Sequence, residues 1–131
     1  MVDELRTLEQ LDGQDWGHPV DAPTFMVARC LRLRRTPLKS FTDGGLRLLV
    51  SQKISLEILV PKALRRVSDD PLLEAEYYPG DMLNALLRVD KSYWSDNPSE
   101  LEQLVPIARS IIGRGGNIAK ECEAFLAENC R

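Results

Sequence analysis

The stretch 56-LEILVPKALRRV-67 carries the clearest helical pattern in the chain. Its apolar residues recur at i, i+3, i+4, i+7, i+8 and i+11, a spacing that places them on one face of an α-helix. Because proline lacks a backbone N–H, Pro61 predicts either a kink or a helix that begins near that residue. The pattern indicates an amphipathic helix that packs against other helices.

Similar helical patterns lie on both sides of this stretch. They occupy residues 5–11, 25–33, 46–50, 82–87, 101–112 and 118–126. No segment shows the sustained period-two alternation that is typical of a half-buried strand. We therefore expect an all-α fold, a compact single-domain bundle of about six or seven helices over residues 1–131.

Several local signals predict where these helices begin. Asp21 is expected to cap the second helix, with Pro23 in its first turn. The buried face of that helix would hold Phe25, Met26, Cys30 and Leu33. Thr42 is expected to cap the third helix, whose start is weakened by Gly44 and Gly45. Pro79 is expected to open the helix that contains residues 82–87, and residues 89–98 are expected to form an irregular joint.

Two short segments resemble each other. LEILVPKAL from Leu56 and LEQLVPIAR from Leu101 share LE, LVP and Ala at matching places. Their separation falls in the range of roughly 40–47 residues that is typical of HEAT-type repeats. HEAT-like helical-hairpin packing is therefore an alternative architecture, and a helical adaptor that binds another protein or peptide is an alternative function.

The composition argues against several classes of function. A net charge of −3 argues against a surface built throughout for nucleic acid or anionic lipid. No stretch approaches the roughly 20 apolar residues that span a bilayer, and the first residues do not resemble a secretory signal. We therefore expect a cytoplasmic protein. Cys30, Cys122 and Cys130 form no CxxC pair, so free thiols are expected.

A basic segment runs from Arg29 to Lys39 and contains Arg32, Arg34 and Arg35. Cations near a helix C-terminus interact favourably with the helix dipole, so a structural role is one interpretation. A patch that binds phosphate or an acidic partner is the other. The sequence leaves both open.

The stretch 67-VSDDPLLEAEYYPGDMLNALL-87 combines carboxylates and aromatic rings more densely than any other part of the chain. Its first half contains no Lys or Arg to offset the acids. Tyrosine is favoured at interfaces because it offers a large contact area for little loss of rotamer entropy. The stretch is therefore the predicted place where the protein meets a partner, although a merely solvated loop would also explain the acids.

The sequence contains little evidence for an enzymatic activity. The acids lack the alternating spacing and the glycine of an EF-hand loop, so a divalent metal enzyme is a minor alternative. His18 is the only histidine and lies among Gly and Pro residues without an identifiable partner. The sequence 113-GRGGN-117 lacks the GK[ST] ending of a phosphate loop and is expected to terminate a helix. We predict no enzyme activity and no cofactor.

Several motifs together resemble one known family. They are Trp16 in its loop, RRTPLKSF from Arg34, LRLLVSQ from Leu46, LVPKAL from Leu59, DPLLEAEYYPGDML from Asp70, and Trp94. The combination, over roughly residues 5–100, is similar to the immunity proteins of bacterial contact-dependent growth inhibition (CDI) systems. Gly44 and Gly45 depart from the helix-favouring residues expected there.

The resemblance implies a small cytoplasmic protein that binds and neutralises the C-terminal toxin domain, commonly a nuclease, of a secreted CDI effector. From charge and composition we expect no nucleic-acid or membrane partner. Carboxylates would steer the electropositive toxin and aromatic rings would anchor it. The candidate toxin-binding residues are Asp69, Asp70, Glu74, Glu76, Tyr77, Tyr78, Asp81 and Trp94. Within this set, Asp81 also belongs to the predicted helix start, so the loop before it is the better candidate for contact.

Overall fold

The computed structural model describes residues 3–129, which contain eight α-helices and no strand. The helices are α1 (Leu8–Asp12), α2 (Phe25–Arg34), α3 (Asp43–Ser51), α4 (Leu56–Asp69), α5 (Asp81–Leu87), α6 (Lys91–Asp96), α7 (Pro98–Ile112) and α8 (Gly116–Asn129). Single 3-10 turns lie at Pro19–Asp21 and Leu38–Ser40. The all-α prediction is confirmed. Within residues 3–129, no helix has the length and apolar character needed to cross a membrane.

Helices α4 and α5 lie at the centre of the fold. Helix α4 contacts α3, α5 and α7, and α5 contacts α3, α4 and α8. Leu59, Leu64, Met82, Leu83 and Leu86 are fully buried between these neighbours. One hydrophobic cluster joins buried residues from all eight helices, as the amphipathic patterns of the sequence require.

Proline does not interrupt either long helix in which it occurs. Helix α4 begins at Leu56 and runs through Pro61, so the alternative of a helix that starts near Pro61 is wrong. The missing N–H of Pro61 leaves the Glu57 carbonyl without its usual helical partner. Helix α7 likewise contains Pro106, and the two helices that carry the LVP segments contact each other.

The two glycines at the start of α3 permit a close approach of other segments. Thr42 Oγ1 accepts a hydrogen bond from the Gly45 N–H at 3.1 Å, which confirms the predicted cap. A Cβ on Gly45 would lie 2.9 Å from Leu33 of α2, and one on Gly44 would lie 3.3 Å from the Glu76 side chain. Both glycines are buried, so their cost in helix propensity is offset by packing.

The predicted start and buried face of α2 need correction. Thr24, not Asp21, caps this helix, and the first helical residue is Phe25. Phe25 is 95% exposed and Met26 is half-exposed, whereas both were predicted to be buried. The buried residues of α2 are Ala28, Cys30, Leu31 and Arg34. The helix therefore presents its first turn to solvent and only its later turns to the core.

Two predictions near α5 and α6 were also wrong. Residues 89–98 are not an irregular joint, because Lys91–Asp96 form α6. Its Trp94 packs edge-on between Tyr93, at a ring-centroid distance of 5.3 Å, and Phe125, at 6.0 Å. Helix α5 begins at Asp81, so Pro79 lies before the helix. As predicted, 113-GRGGN-117 ends one helix, because α7 stops at Ile112.

Arg34 fastens the N-terminal segment to α2. Its guanidinium donates to both carboxylate oxygens of Asp12, at 2.7 and 3.0 Å, and to the Gln14 carbonyl at 2.8 Å. The same group stacks on the Trp16 ring, with 3.9 Å between Cζ and the ring centroid. The side chain of Arg34 is buried, so these contacts compensate for the lost hydration of its charge.

We expect Arg34→Lys to lower the free energy of unfolding by about 1–3 kcal/mol, the usual cost of unmade charged hydrogen bonds. A lysine ammonium cannot bond both Asp12 oxygens in fork geometry and also cover Trp16. Urea denaturation would measure the loss. Arg32→Lys on the exposed side of the same helix is the matched control and should change stability by less than about 0.5 kcal/mol.

Candidate partner-binding surface

The loop before α5 is organised around one buried carboxylate. Asp81 Oδ1 accepts a hydrogen bond from the Ala75 N–H at 2.7 Å. Asp81 Oδ2 accepts from the Glu76 and Tyr77 N–H groups at 2.9 and 2.8 Å. The side chain sits at the first residue of α5, where a negative charge also interacts favourably with the helix dipole. These contacts fix the backbone path of the loop.

Two opposing effects act on the pKa of Asp81. Burial favours the neutral acid and is the largest single effect, but the backbone N–H groups that point at the carboxylate favour its ionised form. Together the hydrogen bonds outweigh the burial and hold the pKa of Asp81 below its usual range. Asp81 is therefore ionised at neutral pH, although only 1% of it is exposed.

Backbone contacts close the loop at its base. Glu74 and Pro79 form an isolated antiparallel bridge. The Gly80 N–H then donates to the carbonyls of Leu72 and Leu73, at 3.1 and 3.2 Å. Gly80 has φ of +88°, a conformation that other residues rarely adopt, so glycine is required at this corner. Residues 75–78 consequently project from a closed and anchored base.

Glu76 is exposed, but its charge is engaged by arginines of the same chain. Its carboxylate contacts the Arg29 guanidinium of α2 at 2.8 Å and lies 3.9 Å from the Arg47 guanidinium of α3. Hydrogen bonding to Glu76 raises the pKa of Arg29 further above its usual value. The ion pairs join the loop to both helices, and they leave Glu76 with much of its charge already compensated.

Six of the eight candidate contact residues are exposed. They are Asp69, Asp70, Glu74, Glu76, Tyr77 and Tyr78. Asp69, Asp70 and Glu74 make no ion pair with any residue in the range 3–129, so their charge faces solvent. Asp81 and Trp94, by contrast, are each 1% exposed and belong to the interior. Toxin binding by the eight residues stays a prediction, but the structure shows that Asp81 anchors the loop by hydrogen bonds and that Trp94 packs in the core.

The two tyrosines face different grooves. Tyr77 is 66% exposed, and its ring lies 4.9 Å from the Arg47 guanidinium, a cation–π distance. Tyr77 borders a groove between α2 and α3. Tyr78 accepts a hydrogen bond from Asn84 Nδ2 at 2.6 Å and borders a second groove, between the loop and α8. One loop therefore contributes an aromatic ring to each side of the surface.

Sequence reasoning missed the first turn of α2. Phe25, Met26 and Val27 are all exposed there, and Val20 of the preceding 3-10 turn is exposed beside them. Phe25 borders the α2–α3 groove together with Tyr77. Thr24 signals that the helix begins at Phe25, but no local signal in the sequence shows that this first turn faces solvent. The apolar surface is thus larger than the acidic stretch alone indicated.

The basic segment Arg29–Lys39 is largely used inside the protein. Arg29 pairs with Glu76, Arg34 pairs with Asp12, and Arg35 contacts Glu9 and Asp15 at 3.2 and 3.6 Å. These pairs favour the structural interpretation of the segment over a continuous phosphate-binding patch. Three of its five cations connect α2 to other parts of the chain.

The described residues do not assemble a recognisable reaction centre. No group of three or more His, Cys, Asp or Glu residues between positions 3 and 129 is arranged to hold a metal ion. His18 accepts a hydrogen bond from the Val20 N–H, in a capping role. Cys30 and Cys122 are free buried thiols, as predicted, and burial raises the pKa of Cys122 to about 11. Cys130 lies outside the described residues.

A family model described as CDI immunity proteins matches residues 10–104 of the chain. The matched region includes Arg34, the α3 glycines, Pro61 and the whole loop anchored by Asp81. The chain belongs to the family of CDI immunity proteins. Members of this family are toxin inhibitors and not enzymes, which confirms the prediction made from the sequence. Searches among curated proteins and solved structures gave no significant match.

For this CDI immunity protein we expect Asp81→Asn to lower the free energy of unfolding by about 2–4 kcal/mol at pH 7, the summed effect of weakened charged hydrogen bonds. An asparagine amide has only one acceptor oxygen, so it leaves at least one N–H of the loop without a partner. Denaturant titration would measure the loss, and Asp69→Asn, at an exposed acid, is the matched control.

The acid dependence of this difference has a defined sign. Because the pKa of Asp81 is lower in the folded protein than the ordinary 3.8, its stabilisation is complete above that value and is lost as the pH falls through the folded pKa. The difference between wild type and Asp81→Asn should therefore shrink below about pH 4. A difference that stays constant down to pH 2 would contradict the role assigned to the carboxylate.

Proposed function

We propose that this protein binds and neutralises the C-terminal toxin domain of its cognate CDI effector, and that the toxin is a nuclease. The family match carries the first part of the proposal. The second part is supported by the carboxylates Asp69, Asp70 and Glu74, which form no ion pair within residues 3–129 and stand on one anchored loop and the helix end before it. Neutralisation takes place inside the cell that the toxin enters.

Electrostatics explains why such a surface suits a nuclease. An enzyme that cleaves nucleic acid must hold phosphate groups, so its active site is surrounded by positive potential. Carboxylates on an inhibitor are attracted by the same potential and accelerate the encounter. Speed matters because the inhibitor must capture the toxin before its substrate is degraded. Glu76 contributes little to this attraction, since Arg29 and Arg47 already compensate its charge.

The loop also presents its charge in a fixed geometry. Asp81 and the Glu74–Pro79 bridge hold the backbone before any partner arrives. A preorganised loop loses less conformational entropy on binding than a flexible one, so more of the contact energy contributes to affinity. A tight and rapid inhibitor requires both properties.

Co-expression tests the proposal directly. The C-terminal domain of the effector encoded next to this protein should stop growth when expressed alone, and growth should be restored when this chain is present. An immunity protein of an unrelated effector is the control and should not protect. Equal killing with and without this chain would show that it does not neutralise that toxin.

Charge reversal tests the electrostatic part. We expect the double variant Asp70→Lys with Glu74→Lys to slow association with the toxin domain about tenfold at low salt, because most of the loop's attraction for the toxin is lost. The rate should also depend less on salt. Stopped-flow fluorescence would measure both effects. The matched control reverses the exposed acids Glu102 and Glu123 of α7 and α8, which changes the net charge equally. If the two double variants behave alike, the loop does not steer the toxin.

A further inference from the structure

A groove between α2 and α3 is bordered by apolar side chains and by two arginines. Its volume is about 460 Å³, and Phe25, Met26 and Tyr77 stand around it. Phe25 also borders a neighbouring groove that contains Val20, so Phe25 is shared by the two grooves. With 95% of its surface exposed, Phe25 makes almost no contribution to the core. Monomeric proteins rarely expose large apolar groups in one contiguous patch without a partner that covers them.

The groove also has a surplus of positive charge. Arg29 and Arg47 border it, and among residues 3–129 the carboxylate that pairs with them is that of Glu76. Arg29 contacts Glu76 at 2.8 Å, whereas Arg47 remains 3.9 Å away. Two guanidinium groups therefore share one carboxylate, and Arg29 takes the better contact.

Arg47 is the less satisfied of the two cations. Its Nε is buried and has no hydrogen-bond partner among residues 3–129. Among the described residues, its next charged or aromatic contact is the Tyr77 ring at 4.9 Å, which supplies attraction but no acceptor oxygen. The Arg47 side chain borders the groove and is 17% exposed, so an incoming carboxylate can reach the guanidinium from the groove, although not the buried Nε. The guanidinium of Arg47 thus favours an acidic ligand group at this end of the groove.

We propose that the toxin domain inserts an apolar side chain between Phe25 and Tyr77 and places a neighbouring carboxylate on the guanidinium of Arg47. The inference rests on the proposed function and adds the contact surface and the chemistry of the segment that it receives. Phe25 and Tyr77 supply the apolar contact area, and Arg47 fixes the orientation through charge. Asp69, Asp70 and Glu74 act at longer range on the basic part of the same toxin.

Charge complementarity favours the toxin over a second copy of this chain. In a symmetric dimer that buries this groove, each copy would bring Arg29 and Arg47 toward the same cations of its partner. The charges would repel one another in a partly dehydrated interface, where repulsion is strongest. A toxin segment that carries an apolar side chain beside a carboxylate would cover the apolar surface and pair with the arginines without such repulsion.

Phe25→Ala tests the apolar contact. Using the full chain and the purified C-terminal domain of the adjacent effector, we expect calorimetry to show a Kd raised by about tenfold to a hundredfold, the usual loss at an interface hot spot. The thermal midpoint should not change, because Phe25 is exposed. Leu5→Ala removes another exposed apolar side chain, outside the groove, and should leave the Kd unchanged.

A pair of variants at Met26 tests the charge of the occupant. Met26→Glu and Met26→Lys place side chains of similar length but opposite charge at the half-exposed wall of the groove. If the occupant is acidic, the Glu variant should bind the toxin domain at least about tenfold more weakly than the Lys variant, because like charges repel across an interface. The reverse order would overturn the assignment of an acidic segment.

The remaining outcomes separate this inference from the proposed function. If wild type does not bind the toxin domain, both fail. If wild type binds and Phe25→Ala binds equally well, the groove is not the contact surface, although neutralisation of the toxin stands. If light scattering shows a wild-type dimer that Phe25→Ala converts to monomer without weakening toxin binding, a second copy occupies the groove and the inference is overturned.

Discussion

The hydrogen bonds from three backbone N–H groups to the carboxylate of Asp81 are the constraint on which the candidate surface depends. A loop of this length has many conformations, and ordering each residue costs about 1–2 kcal/mol of backbone entropy. Charged hydrogen bonds in a site removed from water are among the strongest polar contacts available to offset that cost. Asp81 is also the first residue of α5. Its hydrogen bonds therefore fix the loop relative to a helix in the centre of the fold.

The same anchor determines how charge is distributed on the surface. With its backbone fixed, Glu76 points at Arg29 and Arg47, while Glu74 and Tyr77 point outward. Acids that look equivalent in the sequence therefore have different roles. Glu76 joins the loop to α2 and α3, and Gly44 makes room for it, since a Cβ there would lie 3.3 Å from its carboxylate carbon. The glycine that weakens α3 as a helix thus permits the contact that holds the loop.

Periodicity predicted the parts of the structure that hydrophobic burial dictates. The patterns around Leu59, Leu83 and Leu104 identified α4, α5 and α7, because a helix with one apolar face has one stable way to bury it. Periodicity gave the wrong result where the burial of a residue does not follow from the helical pattern of its segment. Trp94 packs into the core from a helix of only six residues, too short for a period to show, and Phe25 is apolar but exposed. The role of the acidic stretch in binding stays a prediction, and pairing between Glu76 and distant arginines depends on tertiary contacts that local sequence does not reveal.

The division between inward and outward side chains gives this surface a physical route to specificity. Asp81 and Gly80 maintain the loop from within, and a change at either disturbs the backbone. Tyr77, Glu74 and Phe25 are exposed, so replacing them alters the surface and its charge at little cost to folding. An inhibitor specific for one toxin must bind that toxin well and related toxins poorly, which is a difference between two affinities. Because the loop backbone is held from within, substitutions of its exposed side chains can change the difference between the two affinities without unfolding the protein.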